Sequence, residues 1–314
     1  MRIGVLIDSA CDLPKSFIDQ HGIIIMPVTL RIGEEVFEDR RDPLQTQNFY
    51  DTHLDEKTET FAESIPYSIE QLENLFLDRL VIDFDYVFCM TITAQRSMIY
   101  DNANKASLTV LSKYRQIRRD ANIQDRFGLA VVSSRSMFTG QAVQVAEVVR
   151  LIEKGTTPSE IGSRLRDLVE MTQAYVIPAD LFHIYTRGSK RGEKSVGWGA
   201  YTFGSMLDVK PIIHFNQDES APVAKVRGFN AACEKLLTHV ATRIRNGLEV
   251  PYVAISFGGP IEQVPALPGF RELKRAATEA NVEVLISPMS TSAAVNVGPG
   301  AVSVGFVAPG QMLK

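Results

Sequence analysis

Residues Ile3–Pro14 read IGVLIDSACDLP, a nearly continuous apolar run that gives way at once to a polar turn. Ile3, Val5, Leu6 and Ile7 suit a strand covered on both faces, as the strands of a parallel sheet are. Asp8, Ser9 and Asp12 supply oxygens where that strand ends, and Pro14 fits the first turn of a following helix. In open α/β sheets ligands bind beyond the carboxyl ends of the strands, so Asp8 and Ser9 stand where a small molecule is expected. Capping of the next helix would explain the same two residues equally well.

Outward from this stretch the pattern repeats. Gly22 closes the first helix, Ile23–Leu30 is strand-like, and Gly33-Glu34 reads as a tight turn into Val36 and Phe37. Glu38, Asp39 and Asp42 beside that strand read as a solvated edge, and Asp51–Glu63 as a surface loop. Ser68–Gln71 has the spacing of a capping box, and Leu72, Leu75, Phe76 and Leu80 follow at helical spacing. Tyr86–Ile92 is a second buried strand; it ends in Thr93, and a helix of about five turns follows. Leu129–Val132 is a third, with Ser133, Ser134 and Ser136 in its turn, before a helix running to Lys154. Strand, hydroxyl-rich turn and helix in alternation predict an α/β domain built on a parallel sheet.

Gly155–Glu160 marks a boundary, because Thr157-Pro158-Ser159-Glu160 combines a capping box with proline at the first helical position. Beyond it, strands at Ala174–Ile177, Pro211–Phe215, Ala221–Val226, Tyr252–Phe257, Val282–Ser287 and Ala301–Phe306 alternate with helices and one short turn, Asn216–Asp218. A hairpin of that kind is antiparallel, so residues 156–314 are expected to form an α+β domain with a mixed or antiparallel sheet, following an α/β domain over 1–155.

With 314 residues, 45% hydrophobic and 22% charged, the chain can bury two cores. A net charge of -4 argues against nucleic acid as the main partner. Cys11, Cys89 and Cys233 lack the spacing of a disulfide framework or a zinc site. Without a signal-peptide pattern or an apolar run long enough to span a bilayer, a soluble, cytoplasmic protein is expected.

Motifs with defined chemistry are scarce. Gly188–Ser195, GSKRGEKS, nearly matches a phosphate-binding loop, but Glu193 replaces the glycine before Lys194 and would repel phosphate. The segment reads instead as an exposed basic loop in which Arg187, Lys190 and Arg191 could meet an acidic partner or an anionic ligand. G-x-S-x-G and G-x-G-x-x-G are absent, and the five histidines have no metal spacing. What remains is hydroxyls and glycines at strand ends, with Gly298-Pro299-Gly300 before the last strand. Such neutral donors hold a carboxylate better than they break a bond.

The order of these motifs resembles the DegV family. IDSACDLP is similar to that family's first strand and turn, Val28-Thr29-Leu30 with Gly33-Glu34 to its second, and Ile92–Tyr100 to its serine-rich ISSxLSGTY loop. Val132–Ser136, Gly204–Pro211, Lys225–Gly228 and Gly298–Gly300 match further family segments in the same order. The resemblance implies a two-domain, noncatalytic carrier that holds a long-chain fatty acid or related acidic lipid, needs no cofactor or metal, and presents the carboxylate to a separate ATP-dependent kinase. It implies an apolar tunnel near the domain interface, with side chains such as Leu207 and Val209 as lining, and a head group held by Ser9, Ser64, Thr93, Asn296 and the backbone at Gly298. The family pattern is altered at four places: Glu63 where a threonine is expected, Ala94 for the second loop serine, Met98 for the glycine of that loop, and Asn296 for a histidine. Two other readings remain: an enzyme related by fold to dihydroxyacetone-type kinases, and an interaction protein that has lost its ligand.

Overall fold

The structure, a computed structural model, describes residues 1–53, 62–184, 208–310 and Leu313. In chain order the elements are β1 (Ile3–Asp8), α1 (Lys15–Gln20), β2 (Ile24–Met26), β3 (Val28–Ile32), β4 (Glu35–Asp39), α2 (Pro43–His53), β5 (Ala62–Ile65) and α3 (Ile69–Leu75). There follow α4 (Val81–Asp83), β6 (Tyr86–Thr91), α5 (Ile99–Asp120), β7 (Gly128–Ser133), α6 (Thr139–Glu153), α7 (Pro158–Met171) and β8 (Thr172–Ile177). The chain continues through β9 (Val209–Asn216), β10 (Glu219–Arg227), α8 (Phe229–Arg245), β11 (Tyr252–Phe257), α9 (Phe270–Glu279), β12 (Glu283–Pro288), α10 (Thr291–Val297) and β13 (Val302–Val307).

As the alternation predicts, β1, β2, β6 and β7 form a parallel sheet in the order β2-β1-β6-β7. The strand expected over Ile23–Leu30 is in fact two. Pro27, which has no N–H for a ladder, separates β2 in the parallel sheet from β3, which joins β4 and β5 in a small antiparallel sheet. The β3–β4 turn is at Gly33, whose φ of 58° is left-handed.

Both expected capping boxes form, at Ser68–Gln71 and Thr157–Glu160, the second with Pro158 at the helix start. Between α3 and α4 a π turn, Phe76–Leu80, carries Phe76 and Leu80 into the core. Helix α5 is longer than the five turns expected, at 22 residues. Its last turn is held by the buried Arg118, whose guanidinium donates to the carbonyls of Val81, Phe84 and Asp125 and pairs with Asp85 at 2.9 Å.

The second sheet has the order β10-β9-β8-β13-β11-β12, antiparallel throughout except for the parallel β11–β12 pair. Helix α6 lies between the two sheets. Its residues Thr139–Val149 are all buried, and its apolar side chains share one core with Val5, Ile7, Phe88 and Met90 from the parallel sheet and Ala254, Leu285 and Val307 from the mixed one. A helix enclosed on every side must pair its buried polar groups, and Gln144 donates to the Ser134 carbonyl and the Thr172 hydroxyl at 2.9 Å. Close approach to β13 requires Gly305: a Cβ there would sit 2.4 Å from the Thr139 carbonyl. On the far side of the parallel sheet pack α3 and α5, and on that of the mixed sheet α8 and α9. The layers are therefore helix, sheet, helix, sheet, helix.

Two surface expectations are corrected. Asp39 is not part of a solvated edge but 1% exposed, because α10 covers it and donates the Ser292 N–H to its carboxylate at 3.4 Å. Asp51–Glu63 is not all loop, since Asp51 belongs to α2 and Glu63 to β5, with 54–61 outside the described residues. Helix α2 buries Phe49 and Tyr50 but leaves Leu44 largely exposed, so it carries little helical periodicity in its sequence.

Candidate ligand-binding site

In the order β2-β1-β6-β7, connections leave β1 in opposite directions, so the topological switch lies between the carboxyl ends of β1 and β6. Asp8 bridges that point. Its carboxylate accepts the N–H of Ala10 at 3.0 Å, the N–H of Ile92 at 2.6 Å and the Gln141 amide at 3.4 Å. Burial nevertheless pushes its pKa up to about 6. Ser9 accepts the Val28 N–H at 3.0 Å, tying β1 to the start of β3. Neither residue caps α1, whose N-cap Pro14 makes no side-chain bond. Both oxygens serve strand ends.

The next two strand ends meet at Thr93 and Ser136. The Thr93 N–H donates to the Ser136 carbonyl at 3.1 Å, and its buried hydroxyl donates to Asp218 at 2.5 Å. Asp218 belongs to the turn of the β9–β10 hairpin, which thereby reaches across from the mixed sheet. Arg135 donates to the other oxygen of the same carboxylate at 2.5 Å. Ser136 Oγ lies beside Gly140 and Ala174 and is buried with no hydrogen-bond partner among the described residues.

Helix α10 forms the third wall. Asp12 fixes its start by accepting the Ser290 N–H at 2.9 Å and the Ser256 hydroxyl at 2.6 Å, beside the Arg41 guanidinium at 3.4 Å. Burial raises the Asp12 pKa, and Arg41 pulls it back. Arg41 also donates to the carbonyls of Pro288, at 2.8 Å, and Leu13, and Tyr50 donates to that of Met289. Thr291 Oγ1, in the first turn, is buried and has no partner among the described residues. At the other end, Asn296 donates to the Ser292 carbonyl at 2.6 Å, and the Gly298 N–H is used by Ala294 at 2.7 Å. Gly298 has a φ of 87°, and a Cβ on it would lie 2.8 Å from the His183 ring. His183 thus packs against the carboxyl end of α10. His183 was not singled out from the sequence, and only proximity in the fold reveals it.

Ser64 pairs with the buried Leu30 across the β3–β5 ladder and so shares the face that packs on Ala294 and Val295 of α10. Glu63 points to the opposite face, where it pairs with Arg31 at 3.5 Å. Its carboxylate is thus directed away from the hydroxyl beside it. Ser9, Ser64 and Asn296 gather around β3 and α10, whereas Thr93 belongs to the Ser136–Asp218 corner. Between them lies an apolar cluster drawn from the turn after β7, the mixed sheet and α10: Phe138, Val176, Ile213, Phe215, Met289 and Val297, with Met137 and Ile184 partly buried against it; the face of α10 that meets β3 and β5 uses Ala294 and Val295 instead. Val209 is half-buried at the start of β9. Arg187, Arg191 and Leu207 lie outside the described residues. Among the described residues no group of acidic, histidine or cysteine side chains could hold a metal, and no helix is long and apolar enough to cross a membrane.

A parallel sheet joined through buried helices to a mixed sheet defines an α/β protein of the two-sheet class. The model of the DegV family of uncharacterised proteins matches residues 2–309, and the chain belongs to that family. A DegV domain-containing protein of Xanthomonas axonopodis pv. citri is 42% identical over 308 residues, 98% of each chain. A protein of Thermotoga maritima named a fatty acid-binding protein is 24% identical over 313 residues, 98% of each chain. Among solved structures, a stearic acid-binding protein from Eubacterium ventriosum has the same fold, with a TM-score of 0.74 at 22% identity, covering 97% of this chain and 98% of that one.

Proposed function

We propose that this protein is a noncatalytic carrier of a long-chain fatty acid or related acidic lipid, working in the cytoplasm. The tail lies against the Phe138–Phe215–Met289 cluster; of the residues expected at the polar end, Thr93 stands at the corner that takes the carboxylate, and Ser9, Ser64, Asn296 and Gly298, with His183 as an added neighbour, stand at the other end of the bound acid. The carboxylate is then presented to a separate ATP-dependent kinase, with Arg187 and Arg191 as docking residues on the carrier. The observation that carries this reading is the pair of orphan hydroxyls, Ser136 Oγ and Thr291 Oγ1, on elements that border that cluster. A buried hydroxyl without a partner costs roughly 1–3 kcal/mol, a cost that a ligand oxygen removes. Each buried CH2 of the tail adds about 0.8 kcal/mol, so the chain supplies most of the affinity and the head group sets orientation. Fatty acid binding by the Thermotoga and Eubacterium relatives supports the same assignment.

The test is extraction of protein purified from lipid-replete cells, with mass spectrometry of the extract. The carrier reading expects close to one acyl chain per protein, and protein that carries none and takes none up overturns it. Transfer of the γ-phosphate of ATP to the bound acid is expected only when a kinase is added.

A further inference from the structure

The turn that carries Asp218 is unusual in its sequence. A two-residue hairpin turn with left-handed φ at both positions favours Asn-Gly or Asp-Gly. Here Gln217 and Asp218 occupy those positions, with φ of 49° and 72°, and Arg135, which they touch, has a φ of 49° as well. Three non-glycine residues in left-handed conformations meet at one contact, each at a cost of about 1–2 kcal/mol. Strain of this kind persists only where the surrounding contacts over-determine it.

Those contacts converge on the Asp218 carboxylate. One oxygen accepts the Thr93 hydroxyl at 2.5 Å and the other accepts Arg135 Nε at 2.5 Å, while the Asp218 N–H donates to the Arg135 carbonyl at 3.0 Å. Arg135 also reaches the Gln217 carbonyl, and Arg96 donates to Ser220 on the same hairpin. A hydroxyl and a guanidinium on the two oxygens of one carboxylate is the donor set that would hold the head group of a free acid. The next residue, Ser136, has a buried Oγ that packs against Gly140 with no hydrogen-bond partner among the described residues.

We propose that Thr93 and Arg135 form a carboxylate-binding site that Asp218 fills from within the chain, so that an incoming acyl carboxylate must displace the β9–β10 turn to bind. The proposal rests on the carrier reading and adds to it the residues that receive the carboxylate and the residue that competes with it. Closure by Asp218 lowers the fraction of protein able to bind an acid, and apparent affinity falls by that fraction. Because both partners are partly exposed, with side-chain exposures of 38% for Arg135 and 21% for Asp218, the latch is modest. The matching change in affinity is about tenfold, or about 1.4 kcal/mol.

The test compares the delipidated full chain with its Asp218→Asn variant by titration with palmitic acid and, separately, hexadecan-1-ol. Asparagine tolerates the left-handed turn and removes the competing charge. The acid is expected to bind Asp218→Asn about tenfold more tightly than the parent, with the alcohol changed by less than about twofold. Adding Arg135→Gln to the variant should abolish that gain. Equal affinity of the acid for parent and variant overturns the proposal while leaving the carrier reading intact. So does equal tightening of acid and alcohol, which would make the hairpin a steric gate. If neither protein takes up the acid, the carrier reading falls and the proposal with it.

Discussion

Replacing Arg41 with methionine tests how the third wall of the site is held. Arg41 is 4% exposed and Asp12 fully buried, and their charges lie 3.4 Å apart. The substitution keeps the apolar bulk but leaves Asp12 without its cation, and removes the donors to the Pro288 and Leu13 carbonyls. Breaking a buried pair from one side costs about 3–5 kcal/mol, because the remaining charge is stranded. The loss is expected to depend on pH. Burial already raises the Asp12 pKa and Arg41 opposes that rise, so in Arg41→Met it climbs further. A carboxyl whose pKa is higher in the folded than in the unfolded chain binds more protons when folded. Its contribution to stability is therefore lost as pH rises from its unfolded value toward the folded one, at about 1.4 kcal/mol per pH unit. Urea unfolding at pH 5 and pH 8 should show a larger deficit at pH 8, and adding Asp12→Asn should recover part of it. A deficit below about 1 kcal/mol, or one identical at the two pH values, would refute the assignment of Asp12–Arg41 as a stabilising buried pair.

Asp8→Asn probes the switch point: with the native pKa pushed up to about 6, parent stability should fall by roughly 3 kcal/mol relative to the variant between about pH 4 and pH 7, and parallel urea profiles would contradict this. Ser136→Ala removes a hydroxyl with no partner, so unfolding of the ligand-free protein should change by less than about 0.5 kcal/mol, while palmitate affinity measured by calorimetry falls by roughly 1–3 kcal/mol. Gly298→Ala forces a left-handed alanine against His183 and should lower stability by about 1–3 kcal/mol in thermal unfolding.

The strands were legible because burial on both faces leaves a simple mark. Ile3–Ile7, Tyr86–Ile92 and Tyr252–Phe257 are runs of apolar residues that end where hydroxyls or glycines begin, and the observed strands follow those limits closely. Two sequence boxes, at Ser68 and Thr157, placed helix starts because each satisfies amide groups locally. Helix α2 and the burial of Asp39 were not legible. Both depend on α10, more than 240 residues away, which covers Asp39 and packs with Phe49 and Tyr50. At the site, the chemistry of Thr93 could be read but not its partner, since no local pattern shows that the β9–β10 turn folds back onto it. His183 was hidden for the same reason. Ser64 and Glu63 are neighbours in sequence but opposed in space, which only strand register can reveal.

The distribution of buried charge bears on which way round an acid would lie. Around the start of α10 and the switch point, Asp8, Asp12 and Asp39 are buried, and Arg41 is the guanidinium that pairs with Asp12. A further carboxylate among them would meet repulsion of about 2 kcal/mol for each charge at roughly 8 Å, in a medium of effective dielectric constant near 20. At the Thr93 corner the balance is different once Asp218 moves away, for Arg135 then keeps only the exposed Glu170, 3.7 Å from it, and Thr93 presents its hydroxyl. The tail, being neutral, can run past the acidic end at no electrostatic cost. A structure with a bound acid should therefore show the carboxylate within hydrogen-bond reach of Thr93 and the methyl end away from it. A carboxylate seated beside Ser290 and Asp12 would mean that buried charge does not set the polarity of this site.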